Sequence, residues 1–163
     1  MVVADQISGV LPSEMNKQET RPMNRKILVI EDDPINLRFT RYTLEKKGYQ
    51  VVTAANGLEG LRKAKTEAPD LIIMDIMLPG IDGFEICHRL RAEPQTAQLP
   101  ILMISGKAQE ADKATGLKVG VDAYLTKPVS PSEIVSRVEA LLDRKAVAWS
   151  IREVAQQIIA QEK

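Results

Sequence analysis

Asp75 is the residue whose position most strongly suggests chemistry. It ends the short apolar run 71–74 and is followed at once by a turn rich in proline and glycine. Such a run is typical of a strand buried on both faces of a parallel sheet. Ligands bind at the carboxyl ends of strands in open α/β sheets, and a carboxylate placed there needs a cation, a hydrogen-bond donor or a reaction. The pattern therefore predicts that Asp75 is a nucleophile beside a metal ion.

Other polar side chains end the neighbouring predicted strands. Glu31 and Asp32 follow the first strand, Ser105 the fourth and Lys127 the fifth. Asp32 and Asp75 are 43 residues apart, Asp75 and Ser105 are 30 apart, and Ser105 and Lys127 are 22 apart. Each interval fits one or two strand–helix units. Converging carboxylates with room for water suit Mg²⁺. A lysine and a hydroxyl suit phosphoryl oxygens, so we expect phosphoryl transfer onto Asp75 to give an acyl phosphate.

The elements that position these residues alternate along the chain. Apolar runs predict strands at 26–30, 50–54, 71–75, 100–104 and 122–125, and a helical pattern follows each strand. This alternation predicts a parallel sheet covered on both faces, with right-handed crossovers. Five such units in about 120 residues leave room for one open sheet and no barrel.

Composition excludes several other classes of protein. The chain has 163 residues, of which 44% are hydrophobic and 27% charged, as in an ordinary soluble domain. Its net charge of zero argues against binding to nucleic acid or to an anionic membrane. No apolar run is long enough to span a membrane. The single cysteine, Cys87, cannot form an internal disulfide, which indicates a cytoplasmic protein with a buried structural thiol.

Two segments flank the predicted domain, which we place at 25–143. We expect residues 1–24 to be a flexible N-terminal extension without a secretory signal, and the sequence leaves both Met1 and Met23 open as the start. Residues 144–163 contain no glycine or proline and form a C-terminal helical extension. Four β-branched apolar residues in this segment are separated by intervals of four, three and four residues: Val147, Ile151, Val154 and Ile158. Such a helix folds back on the domain, binds a partner or a second copy, or frays, and it could continue from the preceding helix.

Taken in order, these residues resemble the receiver domain of two-component response regulators. Four separated stretches agree with that family in identity, order and spacing: 27–33, 74–83, 104–106 and 123–128. The resemblance covers about residues 25–143. It implies a flavodoxin-like doubly wound sheet of five parallel strands in the order 2-1-3-4-5, with helices on both faces.

The resemblance also implies roles for the acids. Asp75 would accept a phosphoryl group from a histidine kinase or a histidine phosphotransfer protein. Asp32 and Asp75 would bind Mg²⁺ directly, together with the backbone carbonyl of Met77, while Glu31 would act mainly through water. Because Met77 offers no base for an attacking water, slow self-hydrolysis of the acyl phosphate is expected.

Ser105, Tyr124 and Lys127 take the remaining implied roles. Lys127 would contact the phosphoryl group, and the proline after it would follow a cis peptide bond. Ser105 and Tyr124 would be the switch pair, in which the hydroxyl moves to the phosphoryl group and the aromatic ring turns inward. Ser105 stands where threonine is commoner, and it keeps the hydroxyl.

The sequence leaves more than one biochemical function open. We expect a signalling protein rather than an enzyme, with a protein contact as its output, because the residues after 143 are too few for a DNA-binding helix-turn-helix domain. A phosphohydrolase with Asp75 as nucleophile would carry a second acid where Met77 stands. A phosphorylation-independent binding module would have lost the acid pair, the aspartate or the lysine. Whether the protein shuttles phosphoryl groups or acts as an output regulator is open.

Overall fold

A computed structural model describes residues 25–106, 115, 116 and 118–161. The predicted extension 1–24 and most of the helix predicted after the fourth strand lie outside the described residues. The strands are β1 (Lys26–Ile30), β2 (Gln50–Ala54), β3 (Leu71–Met74), β4 (Ile101–Ser105) and β5 (Ala123–Thr126). The helices are α1 (Pro34–Lys46), α2 (Gly57–Thr66), α3 (Gly83–Ala92) and α4 (Pro131–Gln161).

The five strands form one parallel sheet in the order β2-β1-β3-β4-β5, which confirms the predicted order. Ile30 pairs with Met74, and Met74 pairs with Met103. Glu31 and Asp75 each follow one of these paired residues directly. The sheet register therefore brings both acids to the same edge.

Strand side chains alternate between two apolar cores, one on each face of the sheet. One core combines residues of α2 and α3 with strand residues that include Leu28, Ile30, Ile72, Met74 and Met103. The other combines residues of α1 and α4 with strand residues that include Ile27, Val29, Leu71, Ile73 and Leu102. Each fully buried side chain of this kind stabilises the fold by about 1.5–3 kcal/mol. The central strands therefore form a rigid platform for the residues at their carboxyl ends.

Polar side chains begin the helices, as the starts of α1, α3 and α4 illustrate. Asp33 accepts a hydrogen bond from the backbone N–H of Ile35, precedes Pro34 at the first turn of α1 and so caps this helix. Asp82 accepts one from the backbone N–H of Glu85, at 2.9 Å, and begins α3. Ser130 and Glu133 exchange hydrogen bonds before α4 (2.9 and 3.2 Å), which is a capping box.

Helix α4 runs for 31 residues without a break. The predicted C-terminal extension is thus helical and continues directly from the last helix of the domain. A helix that folded back on the domain would need a break, so the backbone favours continuation. Among the helices in the described part of the chain, none has the length and apolarity needed to cross a membrane.

Candidate functional site

Lys127 connects two carboxylates at the carboxyl edge of the sheet. Its Nζ lies 2.9 Å from Oδ2 of Asp75 and 3.2 Å from Oε1 of Glu31. The side chain of Asp75 is 12% exposed and that of Lys127 is 27% exposed, while Glu31 is buried. The site therefore holds one partly accessible carboxylate next to a fixed cation.

The loop after β3 holds the Asp75 carboxylate from the other side. Oδ1 of Asp75 accepts a hydrogen bond from the backbone N–H of Met77 at 3.1 Å. The N–H of Gly83 donates to the carbonyl of Ile76 at 2.7 Å and ties the loop to the start of α3. A Cβ on Gly83 would overlap the carbonyl oxygen of Asp75 and lie 2.9 Å from Cα of Ile76. Only glycine fits this approach of α3 to the site.

The backbone of β4 and β5 places Lys127. Its N–H donates to the carbonyl of Ser105 at 2.8 Å, which extends the pairing of Ser105 with Thr126 by one residue. The peptide bond between Lys127 and Pro128 is cis, as the resemblance implies. The lysine therefore follows β5 at the carboxyl edge of the sheet, and its side chain reaches past the end of β4 to Asp75 after β3.

Burial and charge shift the pKa values of two of these groups. Burial raises the pKa of Glu31 above its ordinary 4.5; Lys127 opposes this rise, Asp75 adds to it, and Asn36 lowers the pKa more weakly. Burial is also the largest single influence on Lys127 and lowers its pKa. The hydrogen bonds and charges of Asp75 and Glu31 together outweigh that effect and raise the pKa of Lys127 above 10.5. The lysine is thus fully charged at neutral pH.

The acids at this edge offer oxygen ligands to a metal ion, although too few of them lie close together to surround one. Oε2 of Glu31 is buried and has no hydrogen-bond partner among the described residues. It lines a cavity of about 410 Å³ together with Asp75, Lys127 and Asn36. In the described part of the chain, no three acidic, histidine or cysteine side chains come close enough to hold a metal ion. A buried oxygen without a partner beside a second carboxylate nevertheless fits a hard cation such as Mg²⁺.

The other predicted site residues lie around this centre. Asp32 is exposed and lines a neighbouring cavity of about 430 Å³ with Met77 and Asp82. Ser105 is fully buried at the end of β4. Tyr124 is half-buried on β5, where it pairs with Met103 and packs against the core. The structure thus joins Glu31 and Asp75 through Lys127 and places Asp32, Met77 and Ser105 at the same edge of the sheet, with Tyr124 inside the neighbouring strand β5.

The cysteine and the histidine of this chain lie away from this site. Cys87 is fully buried in α3, and its Sγ lies 3.2 Å from the carbonyl of Val119 in a weak hydrogen bond. Burial raises the pKa of its thiol to about 11. This confirms the prediction of a buried structural thiol. His88, the only histidine in the sequence, is exposed on the outside of α3.

The buried charge of Glu31 gives a first testable prediction. Because the folded pKa of Glu31 lies above 4.5, its value in an unfolded chain, the folded protein binds this proton more tightly. The free energy of unfolding therefore falls as the pH rises from 4.5 through the folded pKa. Removing the charge with Glu31→Gln should stabilise the protein at pH 7 by about 1 kcal/mol, the order of an unsatisfied buried group. Urea unfolding at pH 7 and pH 4 measures this.

The difference between Glu31→Gln and wild type should shrink toward pH 4, where Glu31 is mostly protonated in both states. Glu67→Gln is a control, since this half-exposed acid forms only a surface ion pair with Lys26. A Glu31→Gln protein that is less stable than wild type at pH 7 would show that the pair with Lys127 outweighs the burial cost.

Comparison with known proteins assigns the family. The family model for the response regulator receiver domain matches residues 27–139. This chain belongs to the response regulator receiver family. Receivers are signalling domains, and the sheet order and the carboxylate–lysine contact described above agree with that assignment.

Curated relatives include transcriptional regulators. The chain is 49% identical over 126 residues to the alkaline phosphatase synthesis transcriptional regulatory protein PhoP of Bacillus subtilis, an alignment that covers 77% of this chain and 52% of PhoP. It is 44% identical over 119 residues to the DNA-binding dual master transcriptional regulator RpaA of Synechocystis, covering 73% of this chain and 49% of RpaA. The chain thus spans about half the length of these relatives.

Solved receiver structures share the fold. A CheY-like receiver domain protein from Methanospirillum hungatei superposes with a TM-score of 0.72 at 31% identity, covering 76% of this chain and 98% of that one. The receiver domain of the sensor histidine kinase PA1611 from Pseudomonas aeruginosa gives a TM-score of 0.69 at 29% identity, covering 73% and 98%. That structure has a magnesium ion coordinated in its active-site cleft.

Proposed function

We propose that this chain is the receiver of a cytoplasmic two-component phosphorelay and that Asp75 is its phosphoryl acceptor. The donor would be a phosphohistidine of a histidine kinase or of a histidine phosphotransfer protein. The observation that carries the proposal is the contact of Lys127 with both Asp75 and Glu31 at the carboxyl edge of the sheet. A carboxylate that is partly accessible, held from both sides and paired with a cation is suited to act as a nucleophile.

In the proposed step, a carboxylate oxygen of Asp75 attacks the phosphorus atom. The phosphorus–nitrogen bond of the donor breaks, and its electron pair returns to the imidazole. The product is an acyl phosphate on Asp75. The ammonium group of Lys127 would contact the phosphoryl oxygens and stabilise the negative charge on them. A preorganised cation stabilises such charge most strongly in a partly desolvated site.

Mg²⁺ is the cofactor that these residues suit. Asp32, Asp75 and the backbone carbonyl of Met77 would hold it, with Glu31 acting mainly through water. When bound, the ion neutralises charge on the phosphoryl oxygens and relieves repulsion between the acids. The buried oxygen of Glu31 without a partner and the magnesium ion in the related receiver of PA1611 support this assignment.

The charge of the acyl phosphate on Asp75 would change a protein-binding surface at a distance from the site. Ser105 and Tyr124, on adjacent strands, would move together and change the surface formed by β5 and the first half of α4. This shifts a populated equilibrium between two surface states toward the one that binds a downstream protein. Several relatives are transcriptional regulators, yet a protein contact remains the output that we propose for this chain.

Intact-mass spectrometry tests the phosphoryl acceptor. Wild type incubated with Mg²⁺ and a small-molecule phosphodonor should gain one phosphoryl group, and a chelator should prevent the gain. Asp75→Asn should gain none. Asp33→Asn is the matched control, because this acid caps α1 beside the site and should leave phosphorylation intact.

A wild-type protein that gains no phosphoryl group and also fails to bind a beryllium fluoride mimic would overturn the proposal. The domain would then be a binding module that keeps the residues of the pocket without its chemistry. A phosphoryl group on Asp75→Asn would overturn the choice of acceptor.

A further inference from the structure

The second half of α4 carries an apolar face of its own. The backbone is helical through Gln161. We define the distal face as the branched residues Val147, Ile151, Val154 and Ile158, flanked by Ala148, Ala155 and Ile159. At 3.6 residues per turn these positions occupy a sector of about 140°, and no polar residue between 146 and 161 falls within it. An apolar sector of this width is typical of a helix that packs against another surface.

The distal face occupies a different side of α4 from the stripe that packs on the receiver domain. The first half of α4 buries a stripe that contains Ile134, Val138 and Leu141. At 100° per residue, the centre of this stripe lies roughly 120° around the helix from the centre of the distal face. Because α4 is one continuous helix, the positions of the distal face and those of the packed stripe lie on different sides of it.

Exposure agrees with this geometry. Leu142 is the last buried residue among those of α4 whose side chains the structure describes. Three members of the distal face are described and all are exposed: Ala155, Ile158 (54%) and Ile159 (59%). Two neighbouring isoleucines exposed to this degree leave apolar surface in contact with water, which is unfavourable. A partner that covered them would remove this surface from water and would be held by its burial.

Charge and spacing favour a second copy of the chain as the partner. The branched residues repeat at intervals of four, three and four, which is the spacing of a coiled-coil seam. The positions beside the seam are uncharged, with alanines on one side and Ser150 and Gln157 on the other. Nothing there repels an identical helix or selects a charged partner, and the chain has no net charge to oppose association.

A membrane surface fits less well. Helices that lie on membranes are rich in lysine and arginine on their polar face. Between residues 146 and 161 the charged residues are Arg152 and Glu153, which cancel. We therefore propose that the distal face is a self-association surface, through which α4 forms a coiled coil with a second copy of this chain. This proposal does not depend on phosphorylation of Asp75.

The test compares two variants that add the same charge. Ile151→Glu places a carboxylate within the distal face, whereas Gln156→Glu places one on the opposite side of the helix. Sedimentation equilibrium over a range of concentrations should give wild type a concentration-dependent mass that rises toward twice 18.1 kDa. Gln156→Glu should behave the same way. Ile151→Glu should remain monomeric or associate at least tenfold more weakly.

Far-UV circular dichroism checks that Ile151→Glu still folds, and phosphorylation of Asp75 checks its receiver separately. Wild type that stays monomeric at several hundred micromolar would overturn the proposal. So would an Ile151→Glu protein that associates as wild type does, because another surface would then be responsible. A monomeric wild type that sediments with vesicles of anionic lipid would also overturn it and assign the face to membranes.

Discussion

Lys127→Met is expected to destabilise the protein by about 2 kcal/mol and to slow phosphorylation of Asp75 at least 100-fold. Lys127 is the cation in contact with Asp75 and Glu31, and its loss leaves two carboxylates facing each other at the edge of the sheet. Breaking a fully buried pair costs about 3–5 kcal/mol. Since the side chain of Lys127 is 27% exposed, we expect a smaller loss here.

The rate effect has a separate cause. A preorganised group that stabilises the charge on the oxygens of the reacting group raises the reaction rate by a factor of about 10²–10³. Methionine keeps much of the length of the lysine stem but has no charge. Urea unfolding measures the stability, and the initial rate of phosphorylation with Mg²⁺ and a small-molecule donor measures the catalytic loss.

A second variant separates the two roles of Lys127. Adding Glu31→Gln to Lys127→Met removes one of the two unpaired carboxylates, so part of the lost stability should return while phosphorylation stays slow. The pair also depends on pH. The folded pKa of Lys127 lies above its unfolded value of 10.5, so the stabilisation is complete below pH 10.5 and is lost as the pH rises through the folded pKa. Lys127→Met with wild-type stability and rate would refute both roles.

Much of this fold is encoded in local pattern. Uninterrupted apolar runs predicted strands buried on both faces, and β3 is buried along its whole length. Polar residues directly after such runs had to lie at one edge, because all strands of a parallel sheet end on the same side. The contact of Lys127 with Asp75 and Glu31 follows from that rule, since residues that are 52 and 96 positions apart in the sequence meet there.

Other features depend on tertiary packing and have no local signal. The polar and proline content of residues 91–98 predicts a loop, yet Arg91 lies in the last turn of α3 and donates hydrogen bonds to the carbonyls of Ala97, Leu99 and Gly120. Asn36 lines the cavity beside Glu31, although only its place in the first turn of α1 could have indicated this. The continuation of α4 beyond the domain was also undecided, because a narrow apolar stripe fits several arrangements.

Gly83→Ala should cost about 3 kcal/mol of stability and slow phosphorylation of Asp75 at least tenfold. The added methyl group would overlap the carbonyl oxygen of Asp75 and come within 2.9 Å of Cα of Ile76. Both are backbone atoms of the loop that carries the acceptor, so the strain cannot be relieved by a change of side-chain rotamer. Overpacking of this kind costs about 1–3 kcal/mol, and we expect the upper end because backbone must move.

Gly106→Ala is the matched control, because a Cβ at Gly106 meets no atom within 4 Å among the described residues even though it follows Ser105 directly. Its stability and phosphorylation rate should stay near those of wild type. Urea unfolding and phosphorylation kinetics on both variants make the comparison. If Gly83→Ala unfolds at the same urea concentration as Gly106→Ala, α3 can retreat from the loop. The position of Asp75 would then not depend on the close approach of Gly83.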